Sequence, residues 1–451
     1  MDFNLSLDEI NRLIDENAWG KLRQYLAEAN EVDIATVLEE LDNDKLILVF
    51  RILPKDISAD VFSYMDPDQQ EQIVQSISNT EIRSLLDNMM LDDTVDFLEE
   101  MPANVVTKVL QNTNESTRKL INQFLNYPDN SAGSIMTIEF VQFRSGWTIQ
   151  QAMNYLRANA TDSEMISICY VVNAKRQLIG MVELRDLILA DDNALIDSIT
   201  DDPPLVVHTL DDQEYVVTQA QKYDLIAVPV TDKEGRLVGI ITIDDIVDVV
   251  QEENTEDFEK MAAMQPSDEE YLKTGVFSMA KHRILWLLIL MISATFTGRI
   301  IRHYNDLLQD CIILASFYPM LMDTGGNCGA QASTLIIRGM ALNEIQWKDI
   351  FRVQWKEFRV GMIVGIILAI VNFIRVILLE RASVPVAAVV SVSLLCTVIL
   401  AKFIGCTLPM LAKKVKLDPA LMASPIITTM VDACSLALYF FFASRFLDIV
   451  A

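Results

Sequence analysis

Beyond residue 280 the sequence carries five apolar stretches, 284–300, 311–322, 360–379, 386–412 and 420–447. Inside a bilayer every backbone polar group must find an internal partner, so stretches of this kind form helices unless strands close a barrel. About 20 residues cross the hydrocarbon layer. Lys and Arg sort into alternate loops: Lys281 and Arg283 precede the first stretch, Arg338, Lys348, Arg352, Lys356 and Arg359 separate the second from the third, and Lys413, Lys414 and Lys416 separate the fourth from the fifth. The intervening loops hold Arg299 and Arg302, then Arg381. The positive-inside bias therefore predicts five spans in the cell membrane, a cytoplasmic N-terminus and a C-terminus outside. The opening MDFNLSLDEI has neither a basic nor an apolar leader region.

Two spans carry polar groups at membrane depth. The second is expected to be broken where Phe317-Tyr318-Pro319-Met320-Leu321-Met322 gives way to Asp323-Thr324-Gly325-Gly326-Asn327-Cys328-Gly329-Ala330-Gln331. Gly- and Pro-interrupted spans point to transport sites. The fifth carries Asp432 in a stripe of Ser424, Thr428, Asp432, Ser435 and Tyr439, one helix face by its spacing. A mid-bilayer charge costs at least roughly 2.5 kcal/mol, so an acid on a hydroxyl-lined face reads as a hydrated cation path. Asp323, Gly325, Gly326, Asn327, Ser424, Thr428 and Ser435 are the candidate lining residues, with Asp432 as the metal-binding acid.

Charge divides the chain in the same place. Residues 1–270 hold 53 acidic and 19 basic residues, the remainder 10 and 17, so a portion of −34 precedes one of +7. Such an acidic surface excludes a nucleic-acid partner. The three histidines and the cysteines without a CxxC pair disfavour a soft-metal centre; any metal here is expected to be hard and oxygen-liganded.

The acidic portion opens with a twelve-residue repeat. Val37, Val49, Val61, Ile73, Leu85, Phe97 and Val109 form one apolar column; Leu38, Phe50, Phe62, Val74, Leu86, Leu98 and Leu110 form the next; Leu41, Leu53, Met65, Ile77, Met89 and Met101 form a third. A fourth column, Asp44, Asp56, Asp68, Thr80, Asp92, Asn104 and Ser116, has the chemistry of helix N-caps. The pattern predicts short stacked helices, an all-α superhelix over 1–130. Its acidic caps, Asp92 and Asp93 among them, are candidates for cation contact.

Residues 131–256 then repeat one sentence, CYVVNAKRQLIGMVELRDLI and AVPVTDKEGRLVGIITIDDIV: strand, polar turn, strand, helix. This resembles a pair of CBS domains, 131–198 and 199–256, α/β modules that often bind adenine nucleotides. By that resemblance Asp186, with Arg185, is a possible ribose or nucleotide site, for ATP or a related nucleotide. Around the second copy, Asp245, Asp248, Glu252 and Glu256 share one helix face, where like charges repel. Divalent-cation binding accounts for that stacking better than solvation alone. A helical connector over 257–283 is expected to join this part to the spans at 284–451.

Taken together, the multi-domain plan resembles the MgtE family of magnesium channels. The resemblance rests on Gly325-Gly326-Asn327-Cys328-Gly329-Ala330-Gln331, Ser333 to Gly339, Asp418-Pro419-Ala420, and Ser424-Pro425 running to Asp432. It implies a homodimer passing Mg²⁺ at Asp432 and a gate closed by several cytosolic Mg²⁺ ions. Asp224, Asp248, Glu253, Glu256 and Asp257 match the family's sensor cluster, Asp212, Asp245 and Asp92 its ligands facing the N domain, and Asp418 an acid at the membrane boundary. Asp323 departs from the pattern as a second intramembrane acid. Transport rather than catalysis is expected. The alternatives are a carrier of Mn²⁺ or Co²⁺ with the same fold, an intramembrane aspartyl protease using Asp323 and Asp432, and a membrane-anchored receptor.

Overall fold

The computed structural model describes residues 5–447 apart from 56, 161–162, 268–270, 273 and 423, and leaves the side chains of residues 310 and 424 undescribed. The chain forms two compact units, Met1–Val250 and Gln251–Ala451.

The first unit begins with ten short helices: α1 (Leu7–Asp15), α2 (Trp19–Ala27), α3 (Glu31–Glu39), α4 (Asn43–Ile52), α5 (Ser58–Ser63), α6 (Pro67–Ser76), α7 (Asn79–Leu86), α8 (Leu91–Glu99), α9 (Ala103–Asn112) and α10 (Glu115–Phe124). The apolar columns are buried apart from the partly buried Val37, Met89 and Leu110, with Val49, Val61, Ile73 and Val109 at 0% exposure. The cap column is displaced. The residues before these helices are Asp42, Asp66, Ser78, Met90, Pro102 and Asn114. Asp44, Asp68, Thr80, Asp92, Asn104 and Ser116 therefore sit two residues later, inside the first turn, and Asp56 lies outside the described residues. Short polar and acidic residues suit both places, because the N-terminal end of the helix dipole favours negative charge throughout that turn. Composition alone does not separate them. Asp66, Ser78 and Asn114 do accept from backbone N–H groups, Ser78 in a full capping box with Glu81.

Two three-stranded sheets follow. One orders β1 (Phe140–Arg144), β2 (Met165–Val172) and β3 (Leu178–Glu183); the other orders β4 (Val207–His208), β5 (Ala227–Thr231) and β6 (Leu237–Thr242). In each, the first pair is parallel and the second antiparallel. Parallel pairing needs a crossover, supplied by α11 (Ile149–Asn159) and α13 (Gln213–Tyr223). The repeated sentence ends in helix both times, α12 (Leu184–Leu189) and α14 (Ile243–Met261). β5 is buried along its whole length, which explains its unbroken apolar run. One continuous core runs from Ile10 through the helical stack to Val228, Ile246 and Val249 of the second repeat.

In the second unit the expected helical connector is interrupted. α14 ends at Met261, Ala263 takes the left-handed φ of 55°, Pro266 cannot donate, and α15 (Val276–His303) begins after Gly275. Then come α16 (Asn305–Asp310), α17 (Tyr318–Ala341), α18 (Ile350–Leu378), α19 (Val384–Lys414) and α20 (Ser424–Phe446). Among the described residues four segments have the length and apolarity to cross a membrane: Val276–His303, Trp347–Leu378, Val384–Lys414 and Pro419–Phe446. The expected second span differs. The irregular part, a 3-10 turn at Ile312–Ser316, precedes the glycines, and α17 runs unbroken through them for 24 residues. Its Asp323, Asn327 and Arg338 lower its apolarity, not its helicity.

The continuity of α17 has a packing reason. A Cβ on Gly325 would lie 2.8 Å from Thr397 Cγ2 and 2.9 Å from Val431 Cγ1, and one on Gly405 would strike the Gly329 carbonyl oxygen. The glycines let α17 meet α19 and α20 backbone to backbone, as small residues do in membrane helices.

Candidate cation sites

The seam between α17 and α20 is built from these contacts. A Cβ on Gly326 would lie 2.9 Å from Thr428 Cγ2, and one on Gly329 2.7 Å from Ile427 Cγ2. Asp432 is half-buried on α20, and its carboxylate has no hydrogen bond or ion pair among the described residues. Asp323 is exposed and accepts from Asn327 Nδ2 at 3.3 Å. Thr428 Oγ1 donates to the Pro425 carbonyl at 3.0 Å. The Ser424 side chain lies outside what is described. Three buried hydroxyls, those of Ser393 and Thr397 on α19 and Ser435 on α20, lack a protein partner. A Cβ on Gly325 would be 3.1 Å from Ser435 Oγ, so two of them flank the α17 glycines. Buried hydroxyls without partners are costly unless water or a ligand satisfies them. Ser393 and Thr397 escaped the sequence reading, although their i, i+4 spacing puts them on one face.

A second set of carboxylates meets in the first unit. Oxygens of Asp92, Glu164 and Asp245 lie within 4.8 Å of one another. Asp92 stands in the first turn of α8, Asp245 in the first turn of α14, and Glu164 just before β2. Two helix N-termini thus present partial positive charge to the acids. Thr242 Oγ1 donates to Asp245 Oδ2 at 2.8 Å and to Glu164 Oε1 at 3.2 Å. Beside them, Glu139 accepts from the Leu91 N–H at 3.3 Å and from Thr137 Oγ1 at 2.9 Å. Asp92 Oδ1 and Glu164 Oε2 are buried without a partner.

Burial, and then the neighbouring charge of Glu164 and Asp93, pushes the Asp92 carboxyl up to about 8. Burial raises Asp93 and Asp245 to about 6 each, and raises Glu164 with help from Asp245. Such a group of acids is held together against its own repulsion. Its donors are all oxygen, which fits a hard divalent cation and not a soft one. Glu164 and Glu139 were missed in the sequence because neither belongs to a repeat column or a charged helix face; only the fold brings them to Asp92 and Asp245.

The other expected sensor residues distribute differently. Asp212 caps α13, accepting from the Glu214 and Tyr215 N–H groups at 3.0 and 3.3 Å. Asp224 ends the same helix in the left-handed region, φ 51°. An eleven-residue helix separates them, so one copy of the chain does not bring them together. Asp248 is exposed on α14, its carboxyl raised by burial and by Asp244.

Within the second unit Glu253, Glu256 and Asp257 gather near Asp418. Lys260 Nζ lies 2.7 Å from Asp418 Oδ2 and also contacts Glu256. Burial and Asp418 push Asp257 up to about 6. Asp418 additionally accepts from the Ala420 N–H at 2.8 Å.

At the end of β3, Arg185 pairs with Glu183 at 3.0 Å and with Asp186 at 3.4 Å, in the open. The Tyr170 hydroxyl on β2 is fully buried and without a partner.

Comparison with known proteins agrees along the whole chain. The family described as "Divalent cation transporter" matches residues 318–442, the MgtE intracellular N domain 29–130, and the CBS domain 132–193 and 196–252. The chain is 34% identical to the magnesium transporter MgtE of Thermus thermophilus, over 98% of each chain. It is 31% identical to that of Bacillus subtilis, over 98% of this chain and 99% of the relative. Among solved structures it is similar to the cytosolic domain of the Mg²⁺ channel MgtE in complex with ATP, at TM-score 0.52 and 33% identity over 54% of this chain and all of that one. It is also similar to the soluble part of a magnesium transporter, at TM-score 0.52 and 30% identity, covering 55% of this chain and 97% of that one.

Proposed function

This chain belongs to the MgtE family of magnesium transporters, and from that premise we propose a route for the Mg²⁺ it carries and a device that regulates it. The route is the α17–α20 seam, and the observation that carries this reading is Asp432. It is the one acid within α20, it has no partner among the described residues, and by its spacing it shares a face with Thr428 and Ser435, which meet the α17 glycines. Mg²⁺ sheds water reluctantly. A half-buried carboxylate with orphan hydroxyls nearby can hold the ion through its hydration shell without stripping it. A second copy about a two-fold axis would contribute a second Asp432, as closed symmetry requires. In this reading α17 crosses the bilayer with the four apolar segments, and the C-terminus lies outside.

The regulating device is the acidic clusters on the cytoplasmic side. Mg²⁺ bound by Asp92, Glu164 and Asp245 neutralises charge that otherwise opposes the packing of α8 against the second repeat. A ligand shifts a conformational equilibrium only by its difference in affinity for the two states, and these oxygens converge only when the segments are packed. Asp248, Glu253, Glu256, Asp257 and Asp418 extend the same principle toward the membrane, with Asp212 and Asp224 free to act across a subunit boundary. The nucleotide-bound relative supports adenine-nucleotide binding at the paired repeats, with Arg185 and Asp186 as candidate contacts.

Flux into proteoliposomes tests the route. Asp432→Ala is expected to abolish Mg²⁺ uptake while the protein remains folded by size exclusion; uptake at the native rate would refute the assignment. Competition by hexaammine cobalt, a mimic of hydrated Mg²⁺, reports whether the ion passes with its water.

A further inference from the structure

Asp432 and Asp323 are not the only ionisable groups on the long helices of the second unit. Lys402 of α19 and Glu357 of α18 face one another with Nζ and Oε2 3.7 Å apart, and their side chains are 6% and 11% exposed. Glu357 Oε2 is buried and has no hydrogen bond. The pair is therefore held by charge alone. The neighbouring polar contact is the bond from Gln354 Nε2 to Thr407 Oγ1, 3.1 Å, between the same two helices. Lys402 runs along the small residue Gly361, whose added Cβ would be 3.5 Å from Lys402 Cγ.

A well-packed apolar pair would hold these helices equally well, since buried ion pairs contribute little net stability. Ionisable groups within or bordering membrane helices commonly mark ion pathways instead. The place of this pair in the bundle suggests what its charges do. Ala401, next to Lys402, presents its carbonyl 3.4 Å from where a Gly329 Cβ would be, and that same Cβ would be 2.7 Å from Ile427 and 3.3 Å from Val431 of α20. Lys402 thus stands one helix behind the α17–α20 seam. Packed helices lie roughly 8–10 Å apart, close enough for an unbalanced charge to act on a divalent cation through protein.

We propose that Glu357 and Lys402 are a specificity-determining pair whose charges cancel, so that the occupancy of the ion route is set by Asp432 undisturbed. Glu357 screens the Lys402 ammonium from the passing cation, and Lys402 keeps Glu357 from becoming a competing binding site. The inference rests on the seam being the route. Over one or two helix spacings, roughly 10–20 Å, and at the effective dielectric of protein, one uncompensated charge changes the affinity of a divalent ion by roughly tenfold or more.

The two charges predict opposite outcomes, which a purely structural role does not. In proteoliposomes containing the full chain, Glu357→Gln is expected to raise the Mg²⁺ concentration for half-maximal flux by about tenfold. Lys402→Met is expected to lower it, and E357Q/K402M to return it to within about threefold of the native value. If both single variants shift it in the same direction, or neither shifts it, the inference is overturned. Should a single variant fail to insert, the reversed pair E357K/K402E keeps the sum at zero and is expected within about threefold of native; a tenfold shift there counts against the proposal. Asp432→Asn run in parallel separates the two readings. Lost flux in that variant with no opposed shifts at the pair refutes the pair alone, and retained flux refutes the route.

Discussion

The convergence of Asp92, Glu164 and Asp245 makes a quantitative prediction for Asp92→Asn. The Asp92 carboxyl is raised from 3.8 to about 8, first by burial and then by Glu164. A group held above its unfolded value stabilises the fold relative to neutral solution only while protonated. Its contribution is complete below the unfolded value and is lost as pH rises through the folded one. At pH 7 the folded unit keeps this proton against a drive of about three pH units. At roughly 1.4 kcal/mol per unit the ceiling on the cost is about 4 kcal/mol. Relaxation and water penetration reduce such figures, so about 2 kcal/mol is the working value. Asn has the same shape and no charge. In EDTA at pH 7 the cytosolic unit carrying Asp92→Asn should therefore melt higher than native, by roughly 4–8 °C for a domain of this size. At pH 5 the difference should narrow, because less of the carboxyl would be ionised in the unfolded chain. With Mg²⁺ the order should reverse in slope: saturation at 100 times Kd stabilises the native unit by about 2.7 kcal/mol, while the variant lacks one ligand. Differential scanning calorimetry across a Mg²⁺ series reads both effects. A variant that melts below native in EDTA, or that gains as much from Mg²⁺, would sink the argument.

Two further outcomes follow from contacts in the second unit. Lys260 places an ammonium between Glu256 and Asp418, a tethered cation where a free one would bind. Lys260→Met should lower the Mg²⁺ midpoint for protease protection of the connecting segment several-fold, by roughly 1 kcal/mol or more for a charge-assisted contact; a higher midpoint would contradict competition. Gly405→Ala drives a methyl into the Gly329 carbonyl, which side-chain motion cannot relieve. It should cost roughly 1–3 kcal/mol, seen as a lower melting temperature in detergent and reduced flux; an unchanged melting temperature would show that α17 and α19 can separate freely.

Periodicity was the most reliable guide to the fold. The twelve-residue columns locate the buried face of every short helix from α4 to α9, because burial follows side-chain spacing directly. The caps were read two residues late, since Asp, Ser and Asn serve both the cap and the first turn. Around α17 the glycines suggested a break, yet they mark close helix packing, and sequence does not distinguish a glycine that frees the chain from one that admits a neighbour. The acid-rich helix α14 was legible from its spacing. The cluster at its start was only half legible: Asp92 falls in a repeat column and Asp245 on a charged helix face, whereas Glu164 precedes a strand and belongs to neither pattern. The pair Glu357 and Lys402 was invisible for the same reason, being 45 residues apart and joined only by the packing of α18 on α19.

The stacked helices also have a consequence for synthesis. Each contacts mainly helices two or three places away in the chain, and folds rich in such local contacts form in microseconds to milliseconds. The last of them ends at Phe124 and the first long apolar helix begins at Val276. At 5–20 residues per second, roughly ten to thirty seconds pass between the emergence of the two. The acidic head is thus in position to be a finished body before the insertion machinery meets an apolar segment. The orientation of the newborn chain would then be fixed by a folded, highly charged mass that cannot be threaded across the bilayer.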